Sequence, residues 1–140
     1  MKTYLTDEIE LSYDDYVRLH KEGKCNLGLP NADADLMSRT PGYIPKGSGV
    51  NAAFMFFNLI GFGIFGYSIY LSFTSNWWYF IIGFFLSGFI WNVNKTSNVQ
   101  NILSEALLNE SFYNKLKLNP STMYQIEEED AKIFLKNKDD

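Results

Sequence analysis

Ionisable residues are missing from the middle of this chain: between Lys46 and Lys95 there is no Asp, Glu, Lys, Arg or His. That gap of 48 residues, Gly47 to Asn94, excludes the ordinary amphipathic elements of a water-soluble core, because each of those must also show a polar face to solvent. Cysteine is nearly absent as well. The single Cys25 excludes an intramolecular disulfide, and with His20 as the only histidine it offers neither a metal-ligand set nor a thiol couple. A basic stripe is also lacking. With a net charge of −4 the chain has little to hold a phosphate backbone, and nucleic-acid binding is not expected. The opening MKTYLTDEIELSYDD carries acids where a secretory signal needs an apolar run, so no such signal peptide is expected.

Motifs of known chemistry are equally scarce. There is no Walker loop, nucleophile elbow or paired-cysteine motif. GFGIFG places Gly61, Gly63 and Gly66 in a Gly-x-Gly-x-x-Gly order, but no strand precedes it and no acidic residue follows about twenty positions on, as a dinucleotide site requires. His20 and Cys25 are close in sequence, which does not make them a nucleophile and its base. They read as a helix-surface histidine and a small buried thiol. The run Glu127 to Asp130 reads as a solvated helix start favoured by the helix dipole. No catalytic, cofactor-binding or metal-ligating residue is assigned, and no enzymatic activity is expected.

What is present is concentrated. Overall the chain is 46% apolar and 20% charged, an unremarkable average, yet sixteen of its 24 aromatic residues fall within Gly47 to Asn94. Val50 to Phe73 would span about 36 Å as a helix, more than the roughly 30 Å hydrocarbon core of a bilayer. Thr74 to Asn76 then interrupts the run, and Trp77 to Val93 adds about 26 Å. Tyr67, Tyr70, Trp77, Trp78 and Tyr79 bracket the interruption like an interfacial aromatic belt, with Trp91 near the opposite boundary. The expected fold class is therefore an all-α membrane protein: a two-helix transmembrane hairpin with short cytoplasmic helical segments at both ends. The nearest basic residues, Arg39, Lys46 and Lys95, place both termini in the cytoplasm by the positive-inside rule, with the protein in the inner (cytoplasmic) membrane of a bacterium or phage-infected cell.

Three segments follow: 1–46, 47–94 with spans at about 50–73 and 77–93, and 95–140. In the first, Ser12 is a good N-cap, Asp14 and Asp15 suit a first turn, and Gly23 suits a stop, predicting a helix from about Tyr13 to Glu22. NADADLMSR predicts a further turn or two capped by Asn31. TPGYIPKGSG is a linker. In the last segment Val99, Ile102, Leu103, Ala106, Leu107, Tyr113 and Leu116 recur at helical spacing, predicting a helix from about Thr96 to Leu118, continuous with the second span or broken at NESF and stopped by Pro120. A final helix is expected from about Ile126 to Asn137, with fraying beyond it.

Within the spans, Asn58, Gly61, Gly63, Gly66, Gly83 and Ser87 are the candidate helix-packing or oligomer contacts, since an amide in hydrocarbon needs a partner and small residues let helices approach closely. No ionisable group lies there to serve a proton relay or a charge-selective filter. Leu103, Leu107, Phe112 and Tyr113 are the candidate partner-binding residues. The leading expectation is a small integral membrane protein that binds a protein partner at the cytoplasmic face, as an adaptor, accessory subunit or immunity-type protein, with the bilayer as its other partner and self-association a further option. The alternative is an oligomerising, membrane-perturbing protein of the holin or abortive-infection kind. A third reading hides the apolar region within a soluble oligomer.

Overall fold

A computed structural model describes residues 1–135, which form six helices and three short strands in two compact units. The first unit joins both ends of the chain, 1–33 and 102–135; the second is 34–101.

The first unit is an α/β module, and its sheet corrects the all-α expectation. Strand β1 (Lys2–Leu5) and strand β2 (Cys25–Gly28) both pair antiparallel with β3 (Met123–Ile126), in the order β1-β3-β2. Tyr124 sits between Tyr4 and Leu27, and Ile126 between Lys2 and Cys25. Alternation does the sorting. Cys25, Leu27, Tyr124 and Ile126 are buried while Gln125 is exposed, the period-two pattern of a sheet covered on one face. Each strand is only four residues long, too short for that alternation to stand out in CNLG or MYQI.

Helix α1 (Tyr13–Lys21) has the ends its sequence dictates. Ser12 Oγ accepts the Asp15 amide at 3.2 Å, and Gly23 takes a left-handed φ of +73°. Gly23 N–H donates to His20 O at 3.0 Å and Lys24 N–H to Leu19 O at 2.9 Å, the paired closure of a Schellman stop. Helix α2 (Asn31–Arg39) is a full nine residues and contributes to both units.

The second unit contains α3 (Val50–Thr74) and most of α4 (Trp78–Leu108), which from Ile102 onward belongs to the first unit. Helix α5 (Glu110–Lys117) follows a break at Asn109, whose side chain caps it by accepting the Phe112 amide at 3.0 Å. Helix α6 (Glu128–Phe134) closes the first unit, where Glu10 N–H donates to Phe134 O at 2.9 Å. Its expected start at Ile126 belongs instead to β3, and its expected end at Asn137, with the fraying tail, lies outside the described residues.

The transmembrane hairpin is the second correction. Among the described residues α3 alone, 25 residues long, has the length and composition to cross a membrane. Helix α4 starts at Trp78 and runs without interruption into Asn92, Asn94 and Lys95. Its stretch free of amide and charge, Trp78 to Trp91, covers only about 21 Å against a hydrocarbon core of roughly 30 Å.

Candidate functional site

In the second unit α3 and α4 meet along a seam of small and amide side chains. The carbonyl of Phe54 accepts two amides at 3.0 Å each, Asn58 Nδ2 from its own helix and Asn94 Nδ2 from α4. Phe54 lies within α3, whose own ladder already directs the Asn58 backbone N–H at this carbonyl, so the two side-chain amides are additional donors and the one from Asn94 ties α4 to α3. Gly61 is buried where a Cβ would strike the Trp91 indole, and Gly83 where one would strike the Ser68 side chain. Ser87, fully buried, donates to Gly83 O at 2.6 Å. Gly63 and Gly66 meet nothing within 4 Å. Of the six residues expected at a helix contact, Gly61, Gly83 and Ser87 lie in close-packed positions, Asn58 donates its side-chain amide within α3 while its backbone carbonyl accepts the Trp91 indole N–H of α4 at 3.5 Å, and Gly63 and Gly66 face outward.

Two functional amides were missed from the sequence. Asn94 crosses the seam, and buried Asn98 donates to Ala34 O at 3.1 Å and accepts from Ser38 Oγ at 3.0 Å, fixing α2 against α4 within this unit. Their spacing of four, with Asn101 three further on, marks one face of a helix and is the signal that could have found them.

Beside the seam lies an open groove of about 620 Å³. Met55, Leu59, Phe62 and Trp91 supply its apolar lining, and Asn58, Arg39 and Lys95 line it as well. The Phe62 and Trp91 rings are 4.9 Å apart. Arg39 is held side-on by Asp35, Nε at 3.1 Å from Oδ2 and Nη2 at 3.3 Å from Oδ1, which leaves Nη1 without an acid among the described residues. Lys95 has no ion pair among the described residues. The unit carries three cations, Arg39, Lys46 and Lys95, against the lone acid Asp35, while the whole chain carries −4. Charge is therefore segregated. Comparison with known protein families, curated proteins and solved structures gives no match.

The outer surface of this unit is unusually apolar. Of the most apolar stretch of α3 only 17% is buried, and Phe56, Phe57, Leu59, Phe62, Tyr67, Tyr70 and Phe73 stand exposed. Trp78, Phe84, Phe85 and Phe89 of α4 do the same. A folded protein in water rarely leaves contiguous apolar surface on this scale.

The first unit holds the histidine, the cysteine and a cluster of buried tyrosines. His20 Nδ1 lies 3.1 Å from the carbonyl oxygen of Cys25, so the imidazole is engaged with the backbone and not with the thiol. Burial, with Asp130 adding to it, pushes the Cys25 thiol up to about 12. A thiol so held is protonated at neutral pH and is no nucleophile. Tyr113 and Tyr124 share a hydroxyl hydrogen bond of 2.7 Å, Tyr113 also donates to Leu11 O at 3.0 Å, and Tyr16 stacks on Tyr113 with ring centres 5.0 Å apart. Burial raises all three phenols, Tyr124 to about 12. Among the described residues no group of three or more Cys, His, Asp or Glu is placed to hold a metal ion.

Of the four expected partner-binding residues, Phe112 and Tyr113 are buried in the core of this unit, and Leu103 and Leu107 are half-buried. The large apolar side chains that do reach solvent beside them are Leu108, 81% exposed, and Leu118, 85% exposed, one at each end of α5.

Proposed function

We propose that this chain is a small non-enzymatic membrane protein whose second unit inserts its apolar surface into lipid and whose acidic first unit binds a protein partner. The observation that carries the reading is the exposed aromatic and aliphatic surface of α3, with only 17% of its most apolar stretch covered by the protein itself. Lipid removes that surface from water without requiring a second protein. Arg39, Lys46 and Lys95 favour the cytoplasmic face of an inner membrane. Leu108 and Leu118, flanking α5 on an otherwise acidic module, are the side chains best placed to anchor a partner.

Fractionation in high salt, with and without detergent, tests the membrane half of this reading. The protein is expected to stay with membranes in salt and to be released by detergent; recovery in the aqueous phase without detergent overturns it. For the partner half, Leu108→Glu combined with Leu118→Glu is expected to abolish capture of the partner from solubilised membranes while membrane association is retained. A second reading, an oligomerising membrane-perturbing protein, is favoured by Gly63 and Gly66, which leave a small-residue face of α3 open to another helix. A membrane-potential dye separates the two: the leading reading expects the potential to hold during expression, the second expects it to collapse.

A further inference from the structure

We propose that the groove bordered by Arg39 and Lys95 binds a membrane phospholipid with an anionic headgroup, its phosphate between the two cations and an acyl chain against Met55, Leu59, Phe62 and Trp91. The proposal rests on the membrane reading above and goes beyond it in naming a lipid class and a site. Three observations converge. The groove, at about 620 Å³, has room for part of a lipid and is too large and open to be a packing defect. Its lining combines what an amphiphile needs, the two cations Arg39 and Lys95 together with the carbon surface of Met55, Leu59, Phe62 and Trp91. And no acidic residue occurs from Leu36 to Ser104, so the only carboxylate near these cations in sequence is Asp35.

Asp35 does not fill the site. Its two oxygens occupy Nε and Nη2 of Arg39, which orients the guanidinium and leaves Nη1 for a phosphate oxygen. The ammonium of Lys95 supplies a second, mobile positive charge on α4, where side chains of this length reach toward an interface. Asn58 Nδ2 gives one of its two N–H donors to Phe54 O, so the charge for the phosphate comes from the two cations and the second amide N–H is a neutral addition to them. Zwitterionic lipids present a choline or ethanolamine beside the phosphate, which the two cations disfavour; a phosphatidylglycerol has no such group.

Trp91, in the groove wall, reports occupancy directly. With Trp77→Phe and Trp78→Phe it becomes the sole tryptophan, and its fluorescence is followed in vesicles containing brominated phosphatidylcholine or, at equal mole fraction, brominated phosphatidylglycerol. Quenching by phosphatidylglycerol is expected at about fivefold lower mole fraction, the scale of one interfacial cation. The preference should vanish in Arg39→Gln with Lys95→Gln and survive in Lys46→Gln, which removes a charge outside the groove. Equal quenching by both lipids, or a preference that survives the double substitution, overturns the site while leaving the membrane reading intact. No quenching by either lipid overturns both. Added inorganic phosphate should leave the quenching unchanged; if it abolishes the preference, the site takes free phosphate and the lipid assignment is overturned.

Discussion

Burial of ionisable groups that stay neutral gives the first unit a particular weakness to base. Below the ordinary thiol value of 9.0, Cys25 is protonated whether the chain is folded or not. Above it the unfolded thiol ionises while the folded one, raised to about 12, does not, so folding stability falls as pH rises through that window by about 1.4 kcal/mol per pH unit. Tyr16, Tyr113 and Tyr124, all raised, add to the loss above about pH 10. Urea unfolding in detergent at pH 8 and again near pH 10.5 should show a clear drop in midpoint, and Cys25→Ala should make that drop shallower. The same effect makes strongly alkaline washing a poor test of membrane attachment, because it unfolds the module it is meant to report on. Tyr113→Phe removes the hydroxyl shared by Tyr124 and Leu11 and is expected to cost about 1–3 kcal/mol, read from the same urea curves. At this scale the sequence was legible where the cause is local: Ser12 and Gly23 act on amides within five residues. Phe112 and Tyr113 were not, since an aromatic on a helix looks the same whether it faces a partner or its own core.

Close approach of α3 and α4 depends on specific glycines, and the others are not equivalent to them. Gly61→Leu and Gly83→Leu push a side chain into Trp91 and Ser68, and each is expected to cost about 1–3 kcal/mol, lowering the temperature at which the detergent-solubilised protein loses protease resistance. Gly63→Leu and Gly66→Leu point into open space and should leave that temperature unchanged or raise it, leucine being the better helix former. A loss of stability at Gly66 would mean that another helix packs there. Helices were the legible elements because 25 or 31 residues give a pattern time to repeat. Strands of four residues do not, and their pairing joins positions more than a hundred apart, such as Lys2 with Ile126. The expected second span failed for a related reason: it ran from Trp77 through Asn92 to Val93, whereas the helix starts at Trp78 and its stretch free of amide and charge ends at Trp91.

Both chain ends share one folded body, so they should be lost together. Limited proteolysis of the intact protein in detergent should protect 1–33 and 102–135 in parallel, and deletion of residues 1–6, which removes β1, should expose Met123–Ile126 and the C-terminal helices to cleavage. Survival of the C-terminal fragment after that deletion would show that the sheet does not hold the module. The split of the chain into polar ends and an apolar middle was visible from charge alone, because a gap of 48 residues needs no periodicity to be seen. That the ends form one module was not visible, because nothing in either end names the other.

The order of the strands also sets a timetable for synthesis. The middle strand of the sheet, Met123–Ile126, is the last of the three to leave the ribosome, and it is the strand with which both β1 and β2 pair. Some 95 residues separate Gly28 from Met123, which at 5–20 residues per second is a wait of about 5–20 s for the N-terminal segment. Throughout that wait Cys25 and Leu27 have no sheet to join. Residues 34–101 are all made before Met123–Ile126, so the sheet of the acidic unit closes only after the chain of the apolar unit is complete.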